Sequence, residues 1–388
     1  MVLLYAKGDS NTLSYVNDIR QHSGLIPFSH NKKLSNAAKS HAKYLVRQHK
    51  SGHYEKKGYK GFTGKTPAHR VIHAGYPSKM VMENISTNTK NYKASVNILM
   101  SAIYHRFVFL TFDKDEIGIG KAINTRSKAP RSVNVYNLGN SALRKACQKS
   151  FTLTRGMSYT TNVCKNSKKK IPESYFKKRL SDTKRKSAKI VLYPYPNQTA
   201  INPAFYNESP DPLPGYKVSG YPVSVEFNPH YYQKVTLQSF RLFDHKGKEI
   251  KKRKILSAKT DRNHKFSALQ FAFMPLKRLE YATKYRVEFK AIADRRKIYK
   301  KWSFTTKRPK GTLHKITKKK TVIKLKNGQK IILYFEPRSR KDVLKGVSHK
   351  GKFIVSYLDA NTLEVTIPNK HSRGIYSLKS GGRTVIFK

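Results

Sequence analysis

The spacing of apolar residues changes period near residue 188, and that change requires at least two kinds of fold in one chain. Upstream, Leu34, Ala37, Ala38, His41, Ala42, Leu45 and Val46 recur at i, i+3, i+4 and i+7, the mark of a helix with one buried face. That stripe turns His41 inward. Ser10 and Asn11 are placed to cap an earlier helix carrying Leu13, Val16 and Ile19, which Gly24 ends. Val96, Leu99, Met100 and Ile103 predict a third helix over residues 92–102, and short strands are expected at 83–86, 116–122 and 132–136. Residues 10–145 therefore read as a mixed α/β domain. Downstream, Val223, Val225 and Phe227 alternate with polar positions, as do Tyr285, Val287, Phe289 and Ala291 with Arg286, Glu288 and Lys290. About seven strands of this kind over 188–307 predict an immunoglobulin-like β-sandwich.

Residues 308–388 read as a small all-β module. Asn327-Gly328 between Ile323, Leu325 and Ile332, Tyr334 predicts a hairpin, and strands are expected at 353–358, 362–367 and 383–387. Between the first two domains, residues 146–187 carry Lys168-Lys169-Lys170, Lys177-Lys178-Arg179 and Lys184-Arg185-Lys186, which reads as a basic linker with a short helix over 173–180. Cys147 and Cys164 flank it. Two cysteines are too few for a disulfide scaffold and too far apart for a CxxC site, leaving one bridge worth about 3 kcal/mol or two free thiols as open alternatives. The fold class is multi-domain α+β.

Charge sets the partners. Eighty Lys and Arg against 22 Asp and Glu give a formal +58 and a pI near 10.3, so the chain will adhere to polyanions, although a lysine-rich coding bias would leave the same imprint. No base-reading motif accompanies the charge, and sequence-specific nucleic-acid recognition is not expected. No 18-residue apolar stretch exists to span a membrane. The apolar run Val2-Leu3-Leu4-Tyr5-Ala6 falls short of a signal-peptide core, so no export signal is visible.

One constellation points to chemistry: Gly52-His53-Tyr54-Glu55, Met82-Glu83-Asn84-Ile85-Ser86 and Tyr104-His105-Arg106. Together with Tyr15-Val16-Asn17-Asp18-Ile19-Arg20, Gly24-Leu25-Ile26-Pro27-Phe28, Ala37-Ala38-Lys39-Ser40-His41-Ala42 and Ile117-Gly118-Ile119-Gly120, it resembles the bacterial form of the CAP superfamily of cysteine-rich secretory, allergen and pathogenesis-related proteins. The resemblance covers residues 10–125. It implies an α-β-α sandwich whose cleft holds two histidines and two acids. Carried over by position, these are His53, Glu83 and His105, with the second acid falling near Ala102, which cannot serve; Glu55 is the candidate replacement. His41 is read as core or as cleft lining, and His69, Arg70 and His73 as a loop shaping the rim.

Two imidazoles and a carboxylate suit a zinc ion, and His53, Glu83 and His105 are the candidate ligands, with a fourth position left for water. The same three groups fit a metal-free hydrogen-bonded tie between strand and helix. Relatives of the fold bind sterols, fatty acids or other apolar ligands. The expected function is thus an extracytoplasmic protein that is secreted, periplasmic or on the cell surface. It binds a lipid, a sterol or an envelope component at this cleft, while basic β modules adhere to anionic polymers or membrane headgroups. The alternatives are a zinc-dependent hydrolase or peptidase at the same cleft, for which the missing acid removes the obvious general base, and a plain polyanion-binding protein. No GxSxG, HExxH or P-loop motif supports another enzyme class.

Overall fold

A computed structural model describes residues 3–124, 131–324, 328–366 and 376–388. In the N-terminal domain, strands β1 (Ser29–His30), β2 (Met82–Thr87), β3 (Glu116–Asn124) and β4 (Arg131–Gly139) form one sheet in the order β1-β3-β4-β2. Helix α2 (Lys32–Arg47) lies across β3 and β4, with Ala38, Ala42 and Leu45 packed on Val133 and Val135. The opposite face carries α1 (Leu3–His22), α4 (Tyr92–Ser101) and α5 (Ile103–Phe109), whose Val16, Ile19, Leu99 and Phe109 cover Ile117, Ile119, Tyr136 and Leu138. Alternation along β4 thus feeds two cores, and the layering is α-β-α. Gly118 and Gly120 permit the tight seat of α2, since a Cβ at either would collide with helix backbone at Leu34–Ser35 or Ala38–Lys39. Asn31 caps α2 by accepting from the Lys33 and Leu34 amides.

Three expectations change here. The first helix starts at Leu3, not at a Ser10 cap, so the cap residues lie inside it. Residues 146–187 are not a linker. Helices α6 (Ser141–Gln148) and α7 (Glu173–Arg185), a short two-stranded sheet and the Cys147–Cys164 disulfide enclose a small core of Ala146, Val163 and Ile171. Its backbone is fastened to the first domain where the Lys79 amide donates to the Val163 carbonyl at 2.8 Å. The lysine runs that suggest a linker are the solvent face of this appendage. Finally, the Asn327-Gly328 hairpin does not join its flanking strands. Asn327 and Leu325 lie outside the described residues, but Lys320–Ile323 pairs in parallel with Arg383–Phe387, while Lys330–Phe335 belongs to the other sheet of the module.

The central module holds two four-stranded sheets face to face. One contains Ile190–Tyr193, Val223–Phe227, Arg253–Leu256 and Gln270–Pro275; the other contains Gln198–Ile201, Val235–Phe243, Lys284–Ala293 and Arg296–Thr306. Phe227, Phe271 and Phe273 meet Phe240 and Phe289 between them. The C-terminal module has two further four-stranded sheets around Ile331, Leu333, Leu363, Val365, Leu378 and Val385.

Candidate functional site

His53 and Glu83 meet as expected. His53 precedes the insertion that carries α3 (Pro67–His73), Glu83 is the second residue of β2, and His53 Nδ1 lies 2.9 Å from Glu83 Oε1. The decisive neighbour is Arg70. Thr66 caps α3, Pro67 opens it, and the helix drives the Arg70 side chain fully inside, where Nη2 lies 2.8 Å from both oxygens of Glu83 and Nη1 donates to the His53 carbonyl at 2.9 Å. Arg70 is therefore not a rim residue. It is the cation on which the buried carboxylate closes.

A second buried pair backs the first. His41 has Nδ1 2.8 Å from Glu55 Oε1 and Nε2 3.1 Å from the Gly52 carbonyl, so both ring nitrogens face acceptors. Glu55 also accepts from the Thr63 and Gly64 amides, and Arg70 Nε lies 3.9 Å from it. Burial opposes the charge on both carboxylates. The imidazole contacts, with the Thr63 amide at Glu55 and Arg70 at Glu83, outweigh it and hold both below the usual glutamate range. Asn137, with its amide oriented to satisfy both ends, adds a donor to Glu83 Oε2 at 3.0 Å.

His105 is placed elsewhere. Its Nδ1 lies 2.8 Å from Oε2 of Glu208, a residue of the central module whose carboxylate also accepts from the Tyr104 amide. Its tie to the β2 strand is through its backbone carbonyl, which accepts from Asn84 Nδ2 at 2.9 Å. Ala102, where a second acid was expected, is the buried break between α4 and α5. Glu55 does not replace that acid, because it faces His41; the acid that meets His105 comes from another module. Each of His53 and His105 thus holds Nδ1 against a carboxylate and leaves Nε2 without a protein partner among the described residues.

The expected zinc set does not fit this arrangement. Both oxygens of Glu83 are engaged by Arg70, His105 belongs to a separate pair, and among the described residues no three His, Cys, Asp or Glu side chains are grouped to hold a metal ion. The arrangement is a buried, hydrogen-bonded tie joining α2, α3 and β2.

Residues 13–136 match the family described as CAP, the cysteine-rich secretory protein family. The N-terminal domain is a CAP domain. No curated protein matches the chain. Among solved structures, an extracellular protein containing an SCP domain from Bacillus anthracis is similar at 15% identity, over 35% of this chain and 41% of its own, with a TM-score of 0.30. An outer surface protein from Borrelia burgdorferi is similar at 18% identity over 34% of this chain and 92% of its own, also with a TM-score of 0.30. The chain therefore spans about two fifths of the Bacillus protein. Within the CAP domain, the signal for Arg70 was present in sequence as Thr66-Pro67, a helix start that places a residue three positions on in the first turn. Glu208 carries no such signal, since it sits in the Pro-rich segment Asn207-Glu208-Ser209-Pro210 and meets His105 only through tertiary packing.

Proposed function

We propose that this CAP-domain protein acts by binding rather than catalysis, holding an anionic polymer or surface of the cell envelope through its basic β modules. The observation that carries the reading is how the few acids are used. Every acidic side chain from Asp18 to Glu364 has an ion-pair or hydrogen-bond partner inside the molecule. The surplus cations of the β modules, among them Lys251, Lys252, Lys318, Lys319 and Lys320, have no carboxylate partner among the described residues and face solvent. A disulfide between Cys147 and Cys164 supports an oxidising, extracytoplasmic setting. With Arg70 holding Glu83, the hydrolase alternative has no open carboxylate to act as base at His53.

The test is retention of the purified protein on anionic vesicles and on a phosphodiester polymer over a salt series. Contact with six or more phosphates lowers affinity by about 10³-fold between 50 and 200 mM salt. Binding that does not respond to salt, or no retention on either matrix, removes the proposal.

A second reading has one observation in its favour. A cavity of about 550 Å³ opens between the CAP domain and the central module, lined by Met82, Phe107, Val108, Phe112 and Leu269 with Glu226 among its polar groups. It offers the expected lipid or sterol a place that the closed His53 and Glu83 pair does not. Native mass spectrometry of the purified protein checks it: a retained small amphiphile, displaced in Phe112→Trp, supports this reading, and a protein that carries none and takes up no fatty acid counts against it.

A further inference from the structure

A second cleft lies between the central and C-terminal modules, with a volume of about 580 Å³ and seven basic side chains against two acidic ones in its lining. The two acids, Glu280 and Glu336, hold Lys315 between them at 3.3 and 2.8 Å, so they are turned to a cation of their own. Five of the basic side chains, Lys251, Lys252, Lys277, Arg338 and Arg340, have no carboxylate partner among the described residues. They come from three separate stretches of chain: the loop after the Val235–Phe243 strand, the segment after Gln270–Pro275, and the loop after Lys330–Phe335. The two modules must dock to bring them together.

The floor of this cleft is built rather than incidental. Arg278, buried, donates Nη2 to Asp359 at 2.8 Å and lies over the rings of both Tyr281 and Tyr334, 4.3 Å from each centroid. Tyr206 and Tyr281 also donate to Asp359, at 2.7 and 2.6 Å, which fixes the C-terminal module on the central one. Arg278 Nε is buried without a hydrogen-bond partner. Burial works against the Arg278 charge, but Asp359 and the surrounding tyrosines hold it strongly in the charged form. At the rim, Arg340 lies 5.2 Å over Tyr216, and the Arg340 carbonyl accepts from the Lys217 and Val218 amides, so the loop that presents Arg338 and Arg340 is tied to the central module. Five uncompensated cations around one concave space of this size repel one another unless an anion lies among them. Arginine forks and lysine ammonium groups together suit tetrahedral oxyanions.

We infer that the cleft between the central and C-terminal modules is a binding site for a short chain segment bearing two or more tetrahedral oxyanions, phosphate or sulfate esters in series. This rests on the polyanion reading above and locates it. Isothermal titration of the full chain with inorganic tripolyphosphate and with a heparin tetrasaccharide distinguishes the phosphate source from the sulfate source. The first variant carries Lys252→Ser, Lys277→Ser and Arg338→Ser, three exposed side chains with no hydrogen bond or ion pair among the described residues. The second carries Lys165→Ser, Lys168→Ser and Lys170→Ser in the disulfide-bridged appendage and removes the same charge. The expected result is binding of at least one probe by the unaltered chain, a loss of tenfold or more in the cleft variant and less than twofold in the appendage variant. Equal losses in the two variants, with binding by the unaltered chain intact, overturn the site and leave polyanion binding standing. No binding of either probe, by a chain still retained on anionic vesicles, overturns the site as well. No binding to probes or vesicles overturns both.

Discussion

A buried carboxylate clamped by a buried guanidinium places a strong demand on single side chains. Glu83→Gln removes the carboxylate that grips the buried Arg70 and leaves only Glu55, 3.9 Å from Arg70 Nε, as its ionic partner, a change worth about 3–5 kcal/mol, and chemical denaturation is the measurement. Pairing it with Arg70→Met recovers much of the loss if the two groups act as a unit; additive losses show that they do not. Glu226 is the opposite case. It is buried in the central module at the edge of the interdomain cavity, accepts from Gln270 Nε2 at 2.6 Å, and burial pushes its carboxyl up to about 8 from 4.5. A folded value above the unfolded one means that its favourable contribution is complete below about pH 4.5 and is lost as pH rises through about 8. The thermal midpoint should therefore fall between pH 5 and pH 8 by more in the unaltered protein than in Glu226→Gln, whose amide keeps an acceptor for Gln270. Parallel pH profiles in the two proteins contradict the assignment.

At the level of elements, the disulfide-bridged appendage holds the clearest energetic question. The bridge joins positions 17 residues apart, and its removal by Cys147→Ser with Cys164→Ser should cost about 3 kcal/mol of local stability on the chain-entropy account. Limited proteolysis reads this directly: cleavage confined to residues 141–187 is expected, and an unchanged digestion pattern shows the small core of Ala146, Val163 and Ile171 to be self-sufficient. The appendage also shows what the sequence made legible. Periodicity found α2 and the Lys284–Ala293 strand because each has one buried face, and motif order located His53 against Glu83. It missed the appendage because surface lysines outnumber its few core residues. It misjudges the hairpin because Asn-Gly reports a local turn preference, whereas Lys320–Ile323 pairs instead with the last strand, each residue with one 64 positions on in the chain. Sequence alone places Arg70 at the rim because an arginine is ordinarily solvated, and only a carboxylate supplied by β2 justifies its burial.

Across the whole molecule, the modules share interior rather than merely touching. Ile103 and Phe107 of α5 enter a cluster with Phe205, Phe266 and Met274 of the central module, and Arg106 beside them is buried with Nη1 donating to Ser224 Oγ at 3.0 Å and its guanidinium over Tyr193 and Tyr221. Glu208 then ties the Tyr104 amide and His105 from the same side. His105 is thus a docking residue that the central module holds through Glu208. Two domains joined through one apolar core should unfold together, since neither buries that surface alone. Phe107→Ala removes the ring that packs edge-on against Phe266 at 5.1 Å, at a cost of about 3–5 kcal/mol charged almost wholly to the junction. The expected calorimetric result is that a single transition spanning both modules separates into two, with the CAP domain and the central module melting apart. If the unaltered protein already melts in two steps, or if Phe107→Ala merely shifts one step downward, α5 is a contact between independent domains and His105 is free to serve a cleft of its own.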